Sequence, residues 1–149
     1  MTSSHTEIKV TNTMAKVTLT NKQLLNVFQV LAKLDPGLDP QSRTKSAFTF
    51  KAKVSYALAR NFKKLRAIVD DLEKLRIETF KKYRTKEDEE QLTGDAAKKF
   101  TAEFTEVLDE EVEFEFHSID VAELELDKNH INIDVLSELL DTILTGEVN

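Results

Sequence analysis

The chain has 149 residues, of which 40% are apolar and 32% are charged, a balance typical of one globular domain. It contains no cysteine, which excludes disulfides, thiolate catalysis and zinc–sulfur sites and favours a reducing, cytoplasmic setting. No apolar run approaches the roughly 20 residues that cross a bilayer, so we expect no membrane association.

The formal net charge of −6 conceals an uneven distribution along the chain. Residues 41–86 carry a net charge of +10, whereas residues 87–149 carry −17. The simplest interpretation is that the two segments pair within the fold. Exposed ion pairs contribute only about 0–1 kcal/mol each, so such pairing would tune the fold and not drive it.

The first part of the chain predicts a tail, a strand and a helix. Residues 1–16 are polar and predict a flexible N-terminal tail, and whether Met14 is an alternative start stays open. Residues 17–146 predict a single globular domain. Alternating apolar residues predict a short strand over 16–20. Thr20 and Gln23 fit a capping box that begins a helix, which Asp35-Pro36-Gly37 ends.

The middle of the chain predicts a helical hairpin. Residues 51–86 contain no Gly or Pro, and their apolar residues recur at steps of three and four, which predicts one helix roughly 50 Å long. Phe48 and Phe50 fit either a short strand or the entry to this helix. A polar connection over 85–94 leads to a second helix capped by Thr93 or Asp95, and its shortness predicts an antiparallel pair.

The last part of the chain predicts a strand and a helix. Val112, Phe114 and Phe116 alternate with polar residues, and the strand they predict should pair with an N-terminal strand. A final helix, capped by Asp134 and ended by Gly146, is apolar over much of its circumference, so it is either well buried or docks onto a partner. The predicted fold is α+β and mainly α: a long antiparallel helical hairpin, a small two- or three-stranded sheet and a C-terminal helix.

No motif for catalysis or for a metal is found in the sequence. The spacing of His5, His117 and His130 matches no zinc motif, and the three glycines are isolated, so no phosphate-binding loop is present. Asp127 begins a partial match to a calcium loop that lacks the required glycine. We therefore expect no catalytic residue, no metal, no cofactor and no enzymatic activity.

Binding of a macromolecule is the remaining class of function. The leading hypothesis is a non-enzymatic protein that binds another protein through a helical surface. The alternative is nucleic-acid binding by the basic helix 51–66, although the chain as a whole is acidic, with a pI of about 5.2. The phosphate contacts would come from Lys51, Lys53, Arg60, Lys63, Lys64 and Arg66. The candidate partner-binding residues are Lys63, Lys64, Leu139, Leu140 and Ile143.

Three segments together resemble small uncharacterised proteins of tailed bacteriophages. They are VTLTNKQLL at 17–25, SYALARNFKKL at 55–65, and FTEVLDEEVEFEF at 104–116 followed by Ile119 and Leu124. The resemblance covers about residues 14–145 and carries no catalytic residues. It implies expression in an infected bacterial cytoplasm and a role in host takeover, in modulating or triggering host defence, or in assembly. The partner, the oligomeric state and the sign of any effect on the host stay open.

Overall fold

The structure is a computed structural model that describes residues 14–39, 41–42, 45–46, 48–140 and 142–146. It confirms the predicted class, α+β and mainly α. Short 3-10 helices occupy Pro36–Leu38 and Val121–Leu124. Residues 1–13 of the predicted tail lie outside the described residues, and the last three residues of that tail belong to the first strand. The elements in chain order are β1 (Met14–Thr20), α1 (Asn21–Leu34), α2 (Ala52–Tyr83), α3 (Gly94–Leu108), β2 (Glu111–His117), β3 (Ile119–Asp120), α4 (Ile133–Leu139) and β4 (Leu144–Thr145).

The strands form two small sheets. β1 and β2 pair antiparallel as predicted, with Met14 opposite His117 and Thr20 opposite Glu111. β3 and β4 form a separate parallel pair that joins Ile119 to Leu144. Within the described residues, the predicted two- or three-stranded sheet is a two-stranded ribbon. The second pair arises from a contact between distant parts of the chain.

The first helix begins and ends as its sequence predicts. The backbone N–H of Gln23 donates to Thr20 Oγ1 at 3.1 Å, and the N–H of Thr20 donates to Gln23 Oε1 at 2.8 Å. These reciprocal bonds satisfy backbone donors that a helix start leaves without partners. After the helix, Asp35 Oδ1 accepts a hydrogen bond from the N–H of Gly37 at 3.1 Å, which turns the chain into the 3-10 helix.

The helical hairpin is also confirmed. α2 ends at Tyr83, three residues before the predicted end, and α3 returns beside it. The rings of Phe80 and Phe100 meet edge to face at 6.5 Å, and Lys82 Nζ lies 2.7 Å from Glu103 Oε1. A basic helix thus contacts an acidic one, as the charge distribution predicts.

The segment before α2 is neither a strand nor a helical turn. Phe48 and Phe50 stack on each other at 5.5 Å in irregular backbone. The side chain of Asn129 holds this backbone: Thr49 N–H donates to Asn129 Oδ1 at 2.9 Å, and Asn129 Nδ2 donates to Thr49 O at 3.1 Å. The Asn129 side chain therefore makes both hydrogen bonds that a neighbouring strand would make with the backbone of Thr49.

The end of the chain differs from the prediction. The cap of α4 is Asn132, whose side chain accepts from the N–H of Asp134 at 2.8 Å, so Asp134 itself is not the cap. The helix ends at Leu139, and Ile143 and Gly146 lie outside it. Ile143 O accepts a hydrogen bond from the N–H of Ile119 at 2.9 Å because the chain turns back to form β4.

The hydrophobic core lies at one end of α2. Buried apolar residues of α1, the first half of α2, β2, β3 and α4 form one cluster. Along α2 this cluster ends at Leu65, with Ile68 packed against it. We call residues 69–83 of α2 together with α3 the hairpin arm.

Within the described residues, no helix combines the length and apolar character needed to cross a membrane.

Candidate functional site

A cleft of about 1040 Å³ lies between the start of β1, the first turns of α2 and the connection from β2 to β3. Its aromatic wall is Tyr56, which is 60% exposed and meets the ring of His117 edge to face at 6.2 Å. The guanidinium of Arg60 lies 5.9 Å from the centre of the Tyr56 ring. The lining also includes Met14, Ala15, Lys53, Val54, Asp120 and Glu123.

The two carboxylates of this cleft already have partners. Glu123 accepts from Lys51 Nζ at 3.2 Å and Lys53 Nζ at 2.8 Å, and these bonds lower its pKa. Asp120 Oδ1 accepts from the N–H of Ala122 at 2.9 Å and begins the second 3-10 helix. Both carboxylates therefore serve as structural acceptors, which does not match the pairing of an acid with a base in catalysis.

His117 is held in a position that favours its neutral form. Burial lowers its pKa, and the nearby charges of Lys64 and Arg60 lower the pKa further. Nucleophilic catalysis needs a hydroxyl or thiol within hydrogen-bond reach of such a base, and no hydrogen bond in the described chain joins the His117 ring to one.

The partial calcium loop has a structural role instead. Asn129 is only 4% exposed, and besides its bonds to Thr49 its Nδ2 donates to Leu124 O at 3.0 Å. All its polar atoms therefore bond to backbone. No group of three or more His, Asp or Glu residues in the described part of the chain is placed to hold a metal ion.

The hairpin arm covers its apolar residues incompletely. No residue of α3 is fully buried, whereas α1, of similar length, buries six residues. Phe100 stacks on Phe104 at 5.9 Å, and both are half-buried. A pair of helices covers only one face of each member, so the remaining apolar surface needs a third element to bury it.

The apolar surface of the arm is exposed at Leu75, which is 37% exposed, and on the flank formed by Ile77 and Phe80. Ile77 is 41% exposed, and Phe80, one turn later, is half-buried against α3. Together they line a shallow depression of about 300 Å³. Its other lining residues are Arg76, Lys81, Arg84 and Glu90. We call this the Ile77 flank: an apolar strip bordered by charged side chains.

The five candidate partner-binding residues are not brought together. Leu139 is 1% exposed and Ile143 is fully buried, so both belong to the core and present no surface to a partner. Leu140 is half-buried against the same core. Of the two alternatives for the C-terminal segment, burial is therefore the one observed. Lys64 Nζ donates to Glu115 O at 3.0 Å, and Lys63 is exposed.

The basic stretch of α2 is largely engaged within the protein. Lys51 and Lys53 bind Glu123, and Lys64 binds the backbone of β2. Arg66 lies 2.7 Å from Asp39 Oδ2 and packs over the rings of Phe28 and Phe62, at 5.3 and 5.5 Å from their centres. Cations with internal partners contribute less to phosphate binding, because those partners must be given up or shared.

Sequence reasoning overlooked the Ile77 flank. Ile77 lies off the apolar stripe that runs through Leu72 and Thr79 to Tyr83, and an apolar residue outside the stripe is the pattern that could have indicated it. No protein-family model, no curated protein and no solved structure matches this chain.

Proposed function

We propose that this chain is a non-enzymatic binding protein whose hairpin arm docks onto a partner protein. The observation that carries the proposal is the exposed Ile77 beside the half-buried Phe80 on an arm of only two helices. Apolar surface bordered by polar residues is typical of protein interaction sites.

A helix is the partner element that fits this surface best. Ile77 and Phe80 lie about one turn apart on α2, so they form a short strip along the helix axis, and Arg84 follows just beyond the end of the helix. A partner helix lying along that strip would make a three-helix layer and bury Ile77. Arg76 is already paired with Glu73, and Arg84 donates to Glu87 O, so the exposed Lys81 on the rim would contribute most to selecting a partner with acidic residues beside its apolar face.

The cellular setting rests on the resemblance to bacteriophage proteins. It supports a role in the cytoplasm of an infected bacterium, where the partner is a host or phage protein. The lack of cysteine agrees with a reducing compartment. Takeover of a host function, modulation or triggering of host defence, and assembly would all use a docking surface of this kind.

Nucleic-acid binding by residues 51–66 is the weaker hypothesis. Its support is the exposed Lys63 and Arg60. Because Lys51, Lys53 and Arg66 already pair with carboxylates, we expect only weak binding to DNA or RNA. A labelled oligonucleotide whose shift is lost on charge reversal of Lys63 and Lys64 would favour this hypothesis over protein docking.

Affinity capture with matched variants tests the docking proposal. The tagged full chain, Ile77→Asp and Ile133→Asp are each expressed in infected bacterial cells, and the captured proteins are quantified by mass spectrometry. Ile133 is the control because it is 59% exposed on α4, away from the arm.

We expect one protein to be enriched equally by the unmodified chain and by Ile133→Asp. Its recovery with Ile77→Asp should fall at least about tenfold, which corresponds to roughly 1.4 kcal/mol of binding free energy. Circular dichroism should show that both variants fold, since both positions are exposed. Equal recovery by all three proteins, or no enrichment by any, contradicts the proposal.

A further inference from the structure

The outer edge of β2 is closed by side chains of α2. Asn61 Nδ2 donates to His117 O at 2.9 Å, and Asn61 Oδ1 accepts from His117 N–H at 2.8 Å. Two residues earlier, Glu115 O accepts from Lys64 Nζ. The backbone groups of His117 and Glu115 therefore point away from β1, toward α2.

These bonds fix which backbone groups of β1 point outward. In an antiparallel ribbon, residues opposite each other either both bond across the ribbon or both point away from it. Lys16 is opposite Glu115 and Thr18 is opposite Glu113, so the N–H and C=O groups of Lys16 and Thr18 face the outer edge of β1. No described residue hydrogen-bonds to these groups.

The described residues also cover the apolar face of the ribbon only partly along this edge. On β2, Phe114 is 7% exposed and Phe116 is fully buried. Their neighbours on β1, Val17 and Ala15, lie on the same face but are only half-buried. An additional strand beside β1 would therefore gain both backbone hydrogen bonds and apolar contact.

We propose that this edge is a self-association surface and that a second copy of the chain fills it. Two β1 strands paired antiparallel about a two-fold axis at Val17 place Lys16 of each copy opposite Thr18 of the other. The backbone groups of Lys16 and Thr18 that no described residue bonds are then all paired. The apolar residues match in the same register, since Val17 meets Val17 and Ala15 meets Leu19.

The charges and the topology favour a second copy over an unrelated strand. In this register the two Lys16 side chains are diagonal and not directly opposite, which reduces the repulsion between their charges. Each Lys16 ammonium also lies 3.6 Å from Glu113 Oε1 of its own chain. The assembly also stops at two copies, because Asn61 and Lys64 close the outer edge of each β2. The inference concerns a different surface from the hairpin arm and does not rest on the proposed function.

The affinity should be low because one pair of short strands buries little surface. Interfaces smaller than the standard size are weak or transient, so we expect a dissociation constant between about 10 µM and 1 mM. Sedimentation velocity of the full chain over this concentration range measures it directly. The sedimentation coefficient should rise from that of a monomer to that of a dimer.

Two variants at one position separate backbone pairing from other contacts. Thr18→Pro removes the outward N–H, whereas Thr18→Ala keeps it and removes only the hydroxyl. We expect Thr18→Ala to dimerise like the unmodified chain and Thr18→Pro to weaken dimerisation at least about tenfold. A dimer that is as stable in Thr18→Pro, with circular dichroism unchanged, overturns the proposal.

Amide hydrogen exchange of the unmodified chain gives an answer even if Thr18→Pro does not fold. The amides of Lys16 and Thr18 should become more protected as concentration rises. Those of Val17 and Leu19, which face β2, should not change and serve as the internal reference. Two results overturn the proposal. One is protection of the Lys16 and Thr18 amides in a monomer at every concentration, which means that something else covers the edge. The other is no protection of these amides at any concentration.

Discussion

The side chain of Asn61 forms both hydrogen bonds that a neighbouring strand would make with the backbone of His117, at 2.8 and 2.9 Å. Asn61 is fully buried, so water cannot replace it. This one residue joins the first half of α2 to the end of β2 and thereby fixes the β1–β2 ribbon on the long helix. It also holds His117 at the wall of the cleft.

Replacing Asn61 should therefore be among the most costly single changes in the chain. Asn61→Ala leaves the N–H and C=O of His117 without their partners in a part-buried site, and each unsatisfied group costs about 1–3 kcal/mol. We expect a loss of roughly 2–4 kcal/mol in the free energy of unfolding, measured by urea denaturation. Asn26→Ala is the control, since Asn26 is exposed on α1. A loss below about 0.5 kcal/mol, the range of ordinary surface changes, would refute this role.

Asn129 should have a comparable role at the irregular segment before α2. Its side chain forms two hydrogen bonds with the backbone of Thr49, which lies 80 residues earlier in the chain, and one with Leu124 O. We expect Asn129→Ala to lower the free energy of unfolding by about 2–4 kcal/mol and to expose the amide of Thr49 to hydrogen exchange. An unchanged exchange rate at Thr49 would show that other contacts hold this segment.

His117 should make the stability depend on pH near neutrality. The folded protein holds the pKa of His117 below its unfolded value of about 6.5, so the unfolded chain binds more protons as the pH falls past that value. The stabilising contribution of neutral His117 is therefore complete above about pH 6.5 and decreases as the pH falls toward the folded pKa.

Paired carboxylates add a similar trend at lower pH, because Glu103 and Glu123 also have lowered pKa values. A variant is needed to separate the two effects. His117→Gln should abolish the decline in unfolding free energy just below pH 6.5 while leaving the decline at acidic pH, and His130→Gln, at an exposed position, should leave both. Identical pH profiles for His117→Gln and the unmodified chain would argue against a neutral, half-buried His117.

The hairpin arm should open more readily than the rest of the fold. Because α3 has no fully buried residue, its amides should exchange with solvent on the order of tenfold or more faster than those of α1, which buries six residues. Native-state hydrogen exchange measures this residue by residue. Equal protection of both helices would mean that the arm is as firmly packed as the core.

Elements defined by local patterns were predictable from the sequence. The Thr20–Gln23 capping box and the stripe of α2 depend on residues close in the chain, and both are observed. The alternation of Phe114 and Phe116 likewise identified β2 and the face that it buries. Such patterns are sufficient to predict these elements because they depend on residues close together in the sequence.

The C-terminal segment and the surface sites required information that local patterns lack. Ile143 and Leu144 continue a helical pattern, but their pairing with β3 prevails because it buries both of them. The openness of the Ile77 flank depends on where α3 lies. The outer edge of β1 has no partner among the described residues because Asn61 and Lys64 bond to β2 and not to β1.

Photo-crosslinking from the arm tests the central claim most directly. A photoreactive amino acid is placed at position 77 in one full-length variant and at position 133 in another, and both are irradiated in the infected bacterial cells. We predict that position 77 crosslinks to one defined partner protein and that position 133, although more exposed, does not. The same products from both positions, or none from position 77, would contradict the claim that this chain works through its hairpin arm.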